Sequence, residues 1–293
     1  MKKLPAYVLI TPARNEEQHI EKTIQSVLNQ TTLPEHWVIV SDASTDRTDE
    51  IVCGYAAKYG WIKFIRKLKS NQYYFSSQQN TLKVGYDQLL NLQYDFIGEL
   101  DGDISLPPRY YETILLKFAQ NPKLGIAGGE VVDYYKNKTY HFHSSKESVA
   151  GAIFLFRRQC FEENFSFVES KEGGFDAITV IKARMRGWET KTFSDIIVHH
   201  LKPRNVSSGS MLKGKWQVGR RDYFLGTHPL FECAKCCFRI FEQPYLIGSI
   251  IRLTSYLFLW LQGTNVEVSD DIVQFIRKEE LNRLFRLFKG RKQ

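Results

Sequence analysis

Tyr7-Val8-Leu9-Ile10-Thr11-Pro12-Ala13-Arg14-Asn15-Glu16 is the stretch from which the rest of the chain is placed. A short apolar run stopped by a proline reads as a buried strand, because proline cannot donate to a sheet ladder. Asn15 then offers an N-cap, Glu16 and Glu17 suit the positive end of a helix dipole, and Ile20, Ile24, Val27 and Leu28 form one apolar stripe. The spacing predicts a helix from Asn15 to Asn29. The pattern then repeats. Trp37 to Val40 is a strand ending in Ser41-Asp42, and a helix capped near Ser44 or Thr45 runs through Ile51, Val52 and Tyr55. Trp61 to Ile65 is a strand, Ser77 to Leu92 a helix, and Asp95 to Leu100 a strand ending in Asp101-Gly102-Asp103. Pro107 and Pro108 open a further helix through Tyr111, Ile114, Leu115 and Phe118. Strands alternating with helices predict an α/β fold built on a mostly parallel, Rossmann-like sheet. Ligands of such sheets bind beyond the carboxyl ends of the strands. Here those ends carry Arg14, Asn15, Glu16, Asp42, Asp101 and Asp103, polar groups that a core would not want.

The 293 residues suit one large domain with an appendage, and 43% hydrophobic with 25% charged residues is a globular composition that excludes disordered, collagen-like and coiled-coil readings. The expected division is 1–225 as the sheet domain, with 1–105 and 106–225 as its two parts, and 226–293 as a helical C-terminal region. Later in the chain, 149–156 and 191–198 are strand-like, and Phe175 to Arg186 reads as a helix closed by Gly187. Five cysteines are too few and odd in number for a disulfide framework, which points to reduced thiols. Cys233, Cys236 and Cys237 lack a second ligand pair at finger-like spacing, which counts against zinc. No apolar signal-like segment follows Met1, so the N-terminal part is expected in the cytoplasm. Forty Lys and Arg against 32 Asp and Glu give a net charge of +8. That excess lies in the basic stretch Lys202–Arg221 and in the tail, while the candidate pocket is acidic. This is the reverse of what a nucleic-acid-binding module requires.

Asp101-Gly102-Asp103 puts two carboxylates at a strand end, around a glycine that lets backbone approach a ligand. Hard divalent cations such as Mg²⁺ and Mn²⁺ take oxygen ligands, and phosphate oxygens complete the shell. Alone, the motif is equally a solvated turn. Three segments together say more. The opening 9–16 with Ile20 and Ser26–Thr31, the segment Val40–Thr48, and Asp101-Gly102-Asp103 resemble, in order and spacing, glycosyltransferase family 2. The resemblance covers roughly Tyr7 to Arg204.

The resemblance implies a GT-A fold, a nucleotide-sugar donor (a UDP-sugar favoured), a divalent metal, Mn or Mg, and inversion at the anomeric carbon. Pro12, Ala13, Arg14, Asn15 and Glu16 would line the base and ribose pocket, Asp42 would accept a hydrogen bond from the base, and Asn80 matches a family asparagine at the start of the third helix. Asp101 with Gly102 would lie near the ribose and metal, and Asp103 would bind the metal. Asp176 would be the base that takes the acceptor proton, although Phe175 stands where the family usually has a glutamate. His199 or His200 falls where a third metal ligand is supplied in several GT-A enzymes; alternation along a strand lets one of them face the site. Arg204, Trp216 and Arg220 lie in a Gly- and Ser-containing basic segment, read either as a lid over the pyrophosphate or as a solvated loop. A sugar nucleotidyltransferase, the other enzyme class considered, would open with a Gly-rich loop after the first strand, which 12–16 is not.

Leu246 to Gly263 is the most apolar stretch, yet it carries Arg252 near its centre, and a single span would export a strongly basic tail. Phe275 to Phe288 mixes apolar and basic residues in the manner of a helix lying on an anionic membrane surface. The expectation is a peripheral protein on the inner face of the cell membrane, acting on a lipid-linked saccharide in surface polysaccharide synthesis. A helical hairpin packed on the domain, or on another subunit to make a homo-oligomer, is the competing use of the same residues.

Overall fold

The computed structural model describes residues 4–68, 74–135, 138–140, 145–164, 173–202, 211–242 and 244–289. The chain divides into two compact units, one of residues 1–171 and 182–203, the other of 172–181 and 204–293.

In the first unit, β1 (Tyr7–Ala13), β2 (His36–Asp42), β3 (Ile62–Lys67) and β4 (Phe96–Glu99) pair in parallel in the order β3-β2-β1-β4. Tyr7, Val8, Leu9 and Ile10 are all buried, as a strand covered on both faces requires. The sheet continues through β8 (Leu155–Arg157), β6 (Leu124–Tyr135), β9 (Glu189–His200) and β5 (Ile104–Ser105), with β7 (Lys138–Tyr140) on β6. This second half is mixed: β8 runs antiparallel to β4 and β6, and β9 runs parallel to β6. The helices are α1 (Ile20–Leu28), α2 (Thr48–Ala56), α3 (Tyr74–Asp87), α4 (Tyr110–Gln120) and α5 (Arg158–Asn164). Ile20, Ile24 and Val27 of α1 join Tyr110, Tyr111, Ile114, Leu115 and Phe118 of α4 in one core with the strands. The Tyr7 and Tyr111 rings stack at 4.5 Å. The buried Trp37 indole donates to Thr11 Oγ1 at 2.9 Å, so its polar atom is satisfied.

Three local expectations change. Helix α1 begins at Ile20, not Asn15, because Asn15 has φ 55° and its side chain is turned to the neighbouring loop. Asn80 lies inside α3, not at its start. The long strand β6 has no counterpart in the apolar pattern, because Gly125, Gly128 and Gly129 interrupt it. Those glycines are the reason it fits: a Cβ on Gly129 would lie 2.4 Å from the Ile196 carbonyl oxygen of β9, where the register shifts.

Helix α6 (Phe175–Met185) ends at Gly187, whose φ of 88° suits the C-terminal position expected for it. The second unit is otherwise helical: α7 (Met211–Phe224), α8 (Pro229–Phe238), α9 (Ile247–Leu261) and α10 (Asp270–Lys289). Helices α7 and α9 meet closely at Gly219, where a Cβ would lie 2.1 Å from the Arg252 carbonyl oxygen. Arg252 is buried and bonded: its Nε donates to Glu232 Oε1 at 2.6 Å, it pairs with Asp222, and Lys235 bridges Asp222 at 3.3 Å and Glu232 at 2.9 Å. The cation in the most apolar stretch therefore belongs to a helix–helix ion network. No described helix is long and apolar enough to cross a membrane. The 15 residues of α9 extend about 22 Å at 1.5 Å each, short of a hydrocarbon core of about 30 Å.

Candidate active site

The carboxyl ends of β1 and β2 open into two loops that brace each other. Asn15 Oδ1 accepts the Thr45 N–H at 2.8 Å, and the Asn15 N–H donates to Ser44 Oγ at 3.2 Å. The Glu16 N–H donates to Thr48 Oγ1 at 2.7 Å, and the Glu17 N–H to Asp46 Oδ2 at 3.0 Å. Asn15 and Ala43 both sit in the left-handed region, at φ 55° and 52°. Asparagine tolerates it, whereas alanine there costs about 1–2 kcal/mol. The remaining loop contacts hold that strain in place. Pro12 lies beyond Ile10, the last β1 residue paired with β4, so its missing N–H costs no bond on that side.

Asp42, at the end of β2, is buried and surrounded by donors. Lys67 Nζ, from the end of β3, is 2.9 Å from Oδ1, and the Ser77 hydroxyl of α3 donates to Oδ2 at 2.5 Å. Arg14 Nη1 stands 3.6 Å from the same Oδ2 and is largely exposed. Two carboxylate oxygens accept about four hydrogen bonds, so Asp42 keeps acceptor capacity for a ligand N–H.

Beyond β4 lies an acidic centre. His200 Nε2 is 3.4 Å from Asp103 Oδ2, and its Nδ1 is 3.2 Å from Asp133 Oδ1. Lys202 Nζ pairs with Glu16 and lies 3.5 Å from Asp103 Oδ2. Burial and the nearby Asp103 push Asp101 up to about 7, and the same two causes push Glu16 up to about 7 against the opposing Lys202. Asp103 goes the other way: burial raises it, but the His200 hydrogen bond and the charges of His200, Lys202 and His19 outweigh burial and hold it ionised. His200 is disfavoured as a cation by burial, yet hydrogen bonds to Asp103 and Asp133 lift it to about 9. Gly102 keeps this turn close to α1, since a Cβ there would meet Ile20 at 3.2 Å and Glu16 at 3.3 Å.

These residues suit a hard divalent ion. Three carboxylates crowd one place, two are driven towards protonation, and Glu16 Oε2 is buried without a hydrogen-bond partner. Among the described residues no three His, Cys, Asp or Glu side chains form a ready cage.

A family profile described as "Glycosyl transferase family 2" matches residues 8–182, more than half of the sequence. The chain belongs to glycosyl transferase family 2. It is similar to "Probable glycosyltransferase YdaM" of Bacillus subtilis (strain 168), with 36% identity over 67 residues, 22% of this chain and 16% of that protein. It is also similar to "Uncharacterized glycosyltransferase EpsJ" of the same organism, 29% identical over 125 residues, 43% of this chain and 33% of that one. The chain thus matches a third or less of the length of these relatives. Among solved structures it resembles the mannosyltransferase PcManGT from Pyrobaculum calidifontis in complex with GDP-Man and Mn²⁺. The TM-score is 0.55 at 14% identity, covering 99% of this chain and 83% of that one. At that identity the likeness is one of fold, the GT-A arrangement.

Within this family 2 chain, the structure brings Arg14, Asn15, Glu16, Asp42, Asp101, Gly102 and Asp103 to adjacent strand ends. Of the two histidines, His200 faces Asp103, while the His199 ring stacks on Tyr134 at 5.3 Å. Asp176 lies in the first turn of α6, in the second unit, with Oδ1 accepting the Ala177 N–H at 2.8 Å. Arg204 lies outside the described residues. Trp216 and Arg220, the part of the basic segment expected to be ordered, stand on helix α7, with the Arg220 guanidinium 5.5 Å from the centre of the Phe224 ring. Three partners in the site escape a reading of sequence: Lys67 and Ser77 on Asp42, and Asp133 on His200. Lys202 was visible only as one of several cations.

Proposed function

We propose that this chain is an inverting, metal-assisted glycosyltransferase. It moves a sugar from a nucleoside diphosphate sugar, a UDP-sugar favoured, to a hydroxyl of a lipid-linked saccharide at the inner membrane face. The observation that carries this is the clustering of Asp101, Asp103, Glu16 and His200 beside the braced loops of β1 and β2, within a family 2 sequence. In this reading Asp42 accepts the base N–H, and Arg14 closes over the nucleotide from the solvent side. Asp101 and Asp103 hold the cation, which when bound supplies Lewis-acid stabilisation to the departing diphosphate. His200 and Lys202 add positive charge where the leaving group develops negative charge. Asp133 fixes the His200 ring through Nδ1, leaving Nε2 for the Asp103 side. Asp176 takes the proton of the acceptor hydroxyl as its oxygen attacks the anomeric carbon opposite the leaving group, which inverts that centre. The solved mannosyltransferase complex, with GDP-Man and Mn²⁺, supports the donor class and the metal, and makes GDP the competitor of UDP for this chain.

Calorimetric titration with UDP, GDP, dTDP and CDP, each with and without Mn²⁺, tests the reading. One nucleotide is expected to bind tightly, with both the metal and Asp103 required. Asp176→Asn is expected to keep that binding and lose transfer by about 10³-fold or more. Binding indifferent to Mn²⁺ and to Asp103→Ala would refute the metal assignment.

A further inference from the structure

Helix α9 hides Gly248, Arg252, Ser255, Tyr256 and Leu259, and presents Ile247, Ile250, Phe258 and Leu261 outward. The exposed apolar character is greatest at the α8–α9 corner. Phe238 is 73% exposed and Phe241 84%, followed by the exposed Tyr245, Leu246 and Ile247. Leu246 has φ 52°, a conformation a leucine adopts at a cost. Fourteen of the 22 large apolar residues exposed among the described residues lie from Met211 onward. A soluble surface does not gather bulky side chains in this way without a partner.

Charge indicates which partner. Residues 204–293 hold 15 Lys and Arg against eight Asp and Glu, so they carry +7 of the chain's +8. At the corner itself the one acid, Glu242, is flanked by Arg239 at 3.3 Å and Lys215 at 3.8 Å. On helix α10, within the stretch 275–288 that the sequence assigned to a membrane surface, Ile276 is buried and Phe285 is exposed.

We infer that the α8–α9 corner, led by Phe238, Phe241, Tyr245, Leu246 and Ile247, inserts into the interface of an anionic lipid bilayer. The inference deepens the membrane part of the proposed function and rests on that part alone. Aromatic and aliphatic side chains at the tip enter the headgroup boundary, while the surrounding cations meet anionic headgroups. Exposed Lys213 on α7 and the flanking Lys215 and Arg239 supply that charge near the same helices.

The test is co-sedimentation of the full chain with phosphatidylcholine vesicles, with and without phosphatidylglycerol, for wild type and Phe238→Ser/Phe241→Ser/Ile247→Ser. Wild type is expected to bind the anionic vesicles, less so at high salt. The triple variant is expected to bind roughly tenfold or more weakly, with an unchanged thermal melt and nucleotide titration. A Phe241→Trp variant is expected to gain fluorescence that brominated lipid quenches. Equal vesicle binding by wild type and triple variant, with no added quenching, would overturn the corner and leave membrane association standing. Binding to neither vesicle, with nucleotide binding intact, would overturn both while sparing the transferase reading. A dimer in sedimentation equilibrium that the triple variant abolishes, without vesicle binding, would assign the corner to a second copy of the chain.

Discussion

Asp42 accepts from Lys67 and Ser77 and has Arg14 within reach, at a strand end where the carboxylate is nearly buried. Removing one partner of a buried ion pair leaves the other uncompensated, which costs about 3–5 kcal/mol. Lys67→Met is accordingly expected to destabilise the fold by about 3 kcal/mol in denaturant melts. Adding Asp42→Asn should recover more than half of that; strictly additive losses would deny the coupling. At this scale the sequence discloses acids better than their partners. Asp42, Asp101 and Asp103 are legible because they end apolar strands. Lys202 meets Glu16 from 186 positions away and Asp133 meets His200 from 67, so no local spacing announces either. Which histidine faces the acids was equally closed to sequence, since alternation gives two answers until β9 is paired.

Elements here depend on glycines used in two ways. At Gly219 the difficulty is space, with backbone of α9 where a methyl would go; at Gly187 it is conformation, with φ 88° and nothing within 4 Å of a Cβ. Gly219→Ala should force α7 and α9 apart and cost about 2–3 kcal/mol, while Gly187→Ala should cost about 1 kcal/mol. Denaturant melts of the two variants would separate these mechanisms, and equal losses would contradict the argument. The same distinction explains what was legible. Helices α1 and α4 and strands β1 to β4 show their apolar period plainly. Strand β6 does not, because glycines chosen for close approach to its neighbours erase the pattern that identifies a strand.

Across the whole molecule, several buried acids prefer their protonated forms. Burial raises Glu280 to about 7, although the His228 N–H at 2.7 Å favours its charge. A carboxyl whose folded pKa lies above its unfolded one binds more protons in the native state, so its stabilisation is complete below about 4.5 and is lost as pH rises through 7. Asp101 and Glu16 act in the same direction. The chain should therefore melt at a lower temperature at pH 8 than at pH 5. Glu280→Gln, which keeps an acceptor for the His228 N–H, should reduce the loss of unfolding free energy between pH 5 and pH 8 by about 2–3 kcal/mol; an unchanged pH dependence would remove Glu280 as a cause. The division into two compact units was harder to read, because 172–181 leaves the sheet's chain segment to join residues far downstream. The network around Arg252 has one more consequence. Two acids on α7 and α8 act as a lock for one arginine, and the key fits at a single rotation of α9 about its own axis. Turned by one residue, the helix would keep its hydrophobicity and lose its orientation. What decides which side chains look outward is thus a charge, set among the most apolar residues of the chain.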